Sequence, residues 1–518
     1  MIDWQFGEKM KVFLSILFTV VGLINVSQGS LPEGIDWYKQ GAGSAFEQAR
    51  KSSRPLFLYW GAVWCPPCNQ IKKTIFSNPK FQQAVKSFIP VYLDGDAPDA
   101  QKWGTKLKTS GYPTMLIMNG NMQEIMRLPT GVTVDEYVRL MQNALEKMQP
   151  MKDILALALK GKRKQQATPA DWERLAGYSW AQDEERTMAE KDKLKTFEQL
   201  WKKSVKLSPV VHSRFYLLYL LTQAETEKKK IQKEPKKKKD AKIVAPPVKI
   251  VQEFLALLKS SELYLANLET LNWQSREIMD YLFPEDSELR QEAKKVWREQ
   301  AFQMFENLQL SLDERMSSLA PLITVDESSD LSQLIIEKAR WADTTAQGIY
   351  ERQAVISTAI YLLRESKQYE EAVRLAQNEL AKSSSPFYFM SELSGIAKER
   401  GYKKESINWS RKAWEASTGD NTRFQWGTMH ILNVLDLTPE DASGIETALT
   451  QVVSEVLPRQ DAFAGRNQKR FERLAKKMMV WGKDAPRVVP HKKIKLALLP
   501  MCQQAKSKVL CERWVRSL

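Results

Sequence analysis

The 518-residue chain is expected to fold as an α/β domain followed by a large all-α region, and three observations lead there. An apolar run, Leu56 to Trp60, leads into Trp64-Cys65-Pro66-Pro67-Cys68 and a helix-like segment, the pattern of a strand turning into a helix. A second strand-like run, Met115-Leu116-Ile117-Met118, follows directly on Gly111-Tyr112-Pro113-Thr114. From Pro150 onward apolar residues recur at helical spacing, with few glycines and no convincing alternating strands.

In chain order, Lys9 and Lys11 precede a mostly apolar run from Val12 to Val26, and Ser27-Gln28-Gly29 closes it. This is a signal-peptide pattern over residues 1–29, with Met10 a candidate start. The chain is then exported, into a bacterial periplasm or a comparable oxidising space; an uncleaved N-terminal membrane anchor is the alternative. The α/β domain is placed at 30–149, a helical module at 150–224, a Lys-rich linker or loop at 225–249, and a further helical region at 250–518.

Two cysteines three residues apart at a helix start can close a small disulfide and reopen it with little backbone movement. The unpaired N–H groups and partial positive charge of a helix N-terminus favour a thiolate, so Cys65 is expected to have a lowered pKa and to attack, with Cys68 resolving. Pro66 and Pro67 suit a first helical turn, although Pro67 removes one amide donor. A zinc site needs four ligands, and neither a second CxxC nor a nearby histidine accompanies this pair, since His212, His430 and His491 all lie far along the chain. No metal and no cofactor is expected.

The stretch from about Ile35 to Met148 resembles a thioredoxin domain, carried by the CxxC after a strand and by Tyr112-Pro113-Thr114 before one. A narrower likeness is to the C-terminal thioredoxin domain of transmembrane thiol:disulfide interchange reductases, through Phe76-Ser77-Asn78-Pro79 beyond the dithiol. The resemblance implies a cis Pro113 beside the dithiol, a substrate groove formed by Trp64, Tyr112, Pro113 and Thr114, and an exposed Trp64. It also exposes two departures. Tyr59 stands six residues before Cys65, where the family has a buried aspartate, and Lys72 stands four residues after Cys68, where the narrower group has an acid. Lys72 and Lys73 either tune a nearby thiolate, giving an isomerase-like or oxidising poise, or sit solvated on an outer helix face.

Export bears on Cys502 and Cys511, which form a structural disulfide, remain buried free thiols, or make a second redox pair, although they lack CxxC context. On one straight helix their sulfurs would be about 13 Å apart, so pairing requires a bend near Ala505 to Lys508.

In the all-α region, Thr168-Pro169-Ala170-Asp171 and Ser208-Pro209 each start a helix. Glu225 to Val248, rich in lysine and without aromatic residues, is expected to be unstructured. In a chain of formal charge +15 this segment is a tether or a contact for an anionic membrane surface, and export argues against a nucleic-acid partner. Beyond it, Ala372-Val373-Arg374-Leu375 matches Ser406-Ile407-Asn408-Trp409 at an offset of 34 residues, which resembles a tetratricopeptide (TPR) repeat, and a third helix pair is expected at Arg423–Val434 and Pro439–Val456. An irregular helical repeat and a compact bundle are the two architectures compatible with this.

Taken together these features point to an exported thiol–disulfide oxidoreductase or isomerase acting on protein thiols and disulfides, with a redox partner and a helical region that binds other proteins. A scaffold carrying a vestigial or sensor-like redox domain, and an electron donor to apocytochrome or copper-site thiols, are the alternatives.

Overall fold

The computed structural model describes residues 31–160, 166–233, 246–326 and 328–518. The expected signal peptide or anchor at 1–29 and residues 234–245 of the Lys-rich segment lie outside the described residues. Among the described residues no helix is long and apolar enough to cross a membrane.

The N-terminal part is a four-stranded mixed sheet of order β2-β1-β3-β4, from β1 (Leu56–Gly61), β2 (Ile89–Asp94), β3 (Thr114–Met118) and β4 (Glu124–Leu128). β1 runs parallel to β2 and antiparallel to β3, with Trp60 opposite Thr114. As a central strand β1 is buried along its whole length, which is why it reads as a continuous apolar run. Its side chains alternate between two cores. Leu56, Leu58 and Trp60 pack under helix α1 (Ala42–Ser52), whereas Phe57 and Tyr59 enter a second core that continues without a break into the helical region. The other helices around the sheet are α2 (Pro66–Ile71), extended by a π turn at Lys72–Phe76, α3 (Pro79–Val85), α4 (Ala100–Lys106) and α5 (Val134–Glu146).

The remainder of the chain is helical. Thr168 caps the helix Pro169–Ala176 in a reciprocal box with Asp171, and Arg174 of that helix reaches back to the Ile125 carbonyl of β4 at 2.7 Å. The helix Pro209–Lys233 runs nine residues into the segment expected to be unstructured, a correction with a local cause. Lys229 pairs with Glu225 at 2.7 Å and Lys230 with Glu227 at 2.7 Å, one helical turn apart, so the lysines there are helix-compatible.

Five helices of the C-terminal region matter below: α6 (Gly348–Glu365), α7 (Asp420–Leu437), α8 (Gly465–Trp481), α9 (Val488–Leu498) and α10 (Lys508–Ser517). Between α6 and α7 lie the helices Tyr369–Glu379, Pro386–Glu399 and Lys403–Ala416, each packed on the next. The helix pair expected near Arg423–Val434 and Pro439–Val456 occupies α7 and Ala442–Val456. A 3-10 turn at Pro500–Gln503 precedes α10, and across the break between them Cys502 and Cys511 are joined in a disulfide, Cα atoms 5.5 Å apart.

Candidate active site: a dithiol beneath the helical region

Cys65 is the N-cap of α2, and its Sγ accepts the Cys68 N–H at 3.3 Å. Pro66 and Pro67 occupy the first two helical positions, so the Cys68 amide is the first main-chain donor available to that sulfur. Asn69 fixes the turn by donating to the carbonyls of Val63 at 2.9 Å and Cys65 at 3.0 Å. The Tyr112–Pro113 bond is cis and leads into β3, at the end of the sheet where β1 delivers the dithiol. Thr114 is buried and donates to the Gly111 carbonyl at 2.8 Å. The two thiols are unbridged.

Both are buried, Cys65 at 3% exposure, because the helical region closes over them. α6 packs along α2, and Gln353 donates to the Trp64 carbonyl at 3.1 Å. The start of α7 grips the loop after β2. Thr422 donates its N–H to Asp96 at 2.8 Å and Asn421 its side-chain amide to the Gly95 carbonyl at 2.8 Å. Trp64, expected to be exposed, is 7% exposed: its indole N–H donates to Thr422 Oγ1 at 3.0 Å and its ring meets Trp426 edge-on at 5.5 Å. Burial of a large aromatic with its one donor satisfied favours this closed arrangement. Tyr112 lies under Arg466 of α8, the guanidinium 4.1 Å from its ring, and Gln182 donates to the Pro113 carbonyl at 2.9 Å. The four expected groove residues therefore meet, in a groove occupied by this chain's own side chains.

Charge in the site is distributed differently from the sequence expectation. Burial pushes the Cys65 thiol up, and its hydrogen bond to Cys68 adds to this, while the Cys68 amide and Arg466 only oppose it. For Cys68 burial also acts upward but is overcome by the Cys65 thiol, the Ala62 amide, Lys72 and the Tyr59 hydroxyl, so its pKa falls. Burial under the helical region thus works against a thiolate at Cys65 and outweighs the help that the Cys68 amide gives at the cap position, while the groups around Cys68 favour a thiolate there.

Lys72 is completely buried and its ammonium has no hydrogen-bond partner; it lies 5.3 Å from the Tyr350 ring of α6. Burial lowers its pKa, opposed first by Cys68, then by Cys65 and Asp94. The solvated alternative does not apply to it. Lys73 differs: it is half-exposed and faces Glu351 at 3.7 Å. The Tyr59 hydroxyl is buried without a hydrogen-bond partner of standard geometry, and the Cys68 sulfur is the group whose charge it supports. Sequence reasoning missed Gln353, Thr422, Trp426 and Arg466, which lie roughly three to four hundred residues from the dithiol and carry no local signal.

Residues 36–120 match the family model described as thioredoxin-like. The chain therefore carries a thioredoxin-superfamily domain. Among curated proteins it is similar to the thiol:disulfide interchange protein DsbD of Salmonella typhimurium, 26% identical over 125 residues, covering 24% of this chain and 19% of the relative. The same protein from Klebsiella pneumoniae is 32% identical over 78 residues, 15% of this chain and 13% of the relative. That of Escherichia coli O6:K15:H31 is 26% identical over 126 residues, 24% of this chain and 19% of the relative. The chain thus spans less than a fifth of the length of these relatives, and the similarity resides in its N-terminal quarter.

Proposed function

We propose that the chain is an exported, periplasmic protein-disulfide oxidoreductase or isomerase, with an oxidising rather than strongly reducing couple. The observation that carries this reading is the buried, unpaired Lys72 ammonium beside a Cys68 thiol that Tyr59 also faces. A thiolate at Cys68 supplies Lys72 with a counter-charge ahead of Asp94, which stabilises the reduced pair, and stabilising the reduced form raises the potential. In the reducing direction, Cys65 attacks a substrate disulfide and releases one substrate thiolate. Cys68 then attacks the Cys65 sulfur, the second substrate thiolate leaves, and the domain is left with a Cys65–Cys68 disulfide. The oxidising direction is the reverse.

Exchange with a protein substrate requires α6 and α7 to withdraw from Trp64. The helical region, possessing TPR-like spacing, recruits the client or the redox partner that prompts this. The Lys-rich segment contributes contact with an anionic membrane surface or acts as a tether.

The enclosure of the dithiol favours one second reading, a helical scaffold with a redox domain that serves as its sensor. A Cys68→Ser variant separates the two. Expressed in the exporting cell, it is expected to accumulate discrete proteins disulfide-linked through Cys65, identified by mass spectrometry. An absence of adducts, with Cys65 reactive after denaturation, would establish the scaffold instead.

A further inference from the structure

We propose that the C-terminal helices α8, α9 and α10 form a docking surface for an anionic lipid bilayer. Of the seventeen large apolar side chains exposed among the described residues, eight fall between Met479 and Leu510. Val489 and Leu496 lie two turns apart on the outer side of α9, 74% and 69% exposed, while Ile494 and Leu498 fill its inner side. Met479 and Val480 are likewise exposed at the end of α8, and Val509 and Leu510 at the start of α10.

The same segment concentrates positive charge. From Arg473 to Leu518 there are twelve lysines and arginines against two acids, which is +10 of the chain's +15. Lys476, Lys483, Lys492, Lys493, Lys506 and Lys508 are all exposed. The layer is held together rather than splayed. His491 of α9 abuts Gly482 and the Trp481 ring, Lys495 donates to the Arg516 carbonyl at 2.9 Å, and the Cys502–Cys511 disulfide fixes the start of α10.

Exposed valine and leucine interleaved with lysine suit an interface in which apolar tips enter the acyl boundary and ammonium groups reach anionic headgroups. Nucleic acid would use the charge but leave the apolar side chains without a partner, and an uncharged apolar partner would leave Lys476, Lys483, Lys492, Lys506 and Lys508 unmatched. The surface is separate from the dithiol chemistry: Val480 lies about 20 Å along α8 from Arg466.

The test is sedimentation of the full chain with vesicles of phosphatidylcholine alone and of phosphatidylcholine with one quarter phosphatidylglycerol. Binding is expected to the anionic vesicles only. The triple variant Lys476→Gln, Lys483→Gln, Lys492→Gln is expected to bind about a hundredfold more weakly, at roughly fivefold per charge. A second triple variant, Val489→Ser, Leu496→Ser, Val509→Ser, is expected to lose at least tenfold. An unchanged thermal midpoint shows that these exposed substitutions leave the fold intact. No binding to anionic vesicles, equal binding to neutral ones, or an unaffected serine variant overturns the proposal. In the last case, retention of a DNA duplex by wild type and serine variant alike would assign the surface to polyanions in general.

Discussion

Replacing Lys72 by methionine probes the electrostatics of the dithiol directly. Methionine matches the length of the buried stem and removes only the charge, in a position where the ammonium has no hydrogen-bond partner to orphan. An opposite charge close to a titrating group shifts it by roughly 1–3 pKa units, each about 1.4 kcal/mol, and for a two-electron couple that is about 30 mV per unit. Asp94 also faces Lys72 and shares its charge, so the low end of the range applies. The sign follows from which redox form gains. The substitution removes a counter-charge from the reduced pair and a less compensated charge from the oxidised one, so both effects make the couple more reducing. The expected fall in potential is about 30–60 mV. It is measured by equilibration in glutathione buffers, with the reduced fraction counted by alkylation and mass spectrometry. The Cys68 thiolate, followed by its ultraviolet absorbance, should titrate about one unit higher. A potential that is unchanged or rises would refute the assignment of Lys72 as the counter-charge of this site.

Three other outcomes are expected. Gln353→Ala with Thr422→Val removes the two hydrogen bonds that α6 and α7 make to Trp64 and the one from the Thr422 hydroxyl to Asp96, and should raise the rate of Cys65 reaction with a disulfide reagent about 150-fold, at ~1 kcal/mol per bond; an unaltered rate would mean that other contacts hold the cover. Burial depresses the His430 pKa to about 4, where its Nδ1 pairs with Ser410 at 3.0 Å, so the folded state resists its protonation. Stability should therefore decline as pH falls from about 6.5 towards 4, by up to about 3 kcal/mol, and a His430→Gln variant should show a shallower decline in denaturant titrations. Cys502→Ala with Cys511→Ala should cost about 2.5 kcal/mol by loop-closure entropy over the nine-residue separation, read as a lower denaturation midpoint.

The α/β domain was legible in the sequence because its signals are local. The run Leu56–Trp60 is apolar since β1 is buried on both faces, and Cys65, Cys68 and Pro113 lie where their neighbours say they should. Tyr59 and Lys72 were legible as departures, although the sign of their effect was not: Lys72 is buried beside Cys68, with Tyr350 of α6 against it. Trp64 shows the limit most clearly. Its exposure was inferred from the domain alone, and what covers it is Thr422 and Trp426, brought in from a helix 358 residues away. The helical pattern of 225–233 was obscured by its lysine content, because charge density was weighed above the i,i+4 acidic partners that stabilise it.

That long reach has a consequence in time as well as in space. The bonds from Trp64 to Thr422 and of Arg466 to Ser110 join residues separated by 358 and 356 positions. A growing chain at about 5–20 residues per second needs roughly 20–80 s to advance from Cys68 to Arg466. Throughout that interval the sheet can fold around Phe57 and Tyr59 with half of its core still missing and both thiols open to solvent and to oxidants. The dithiol of the finished protein is guarded; that of the unfinished one is not, so its redox state at birth is set by whatever the nascent chain encounters before its last fifty residues arrive.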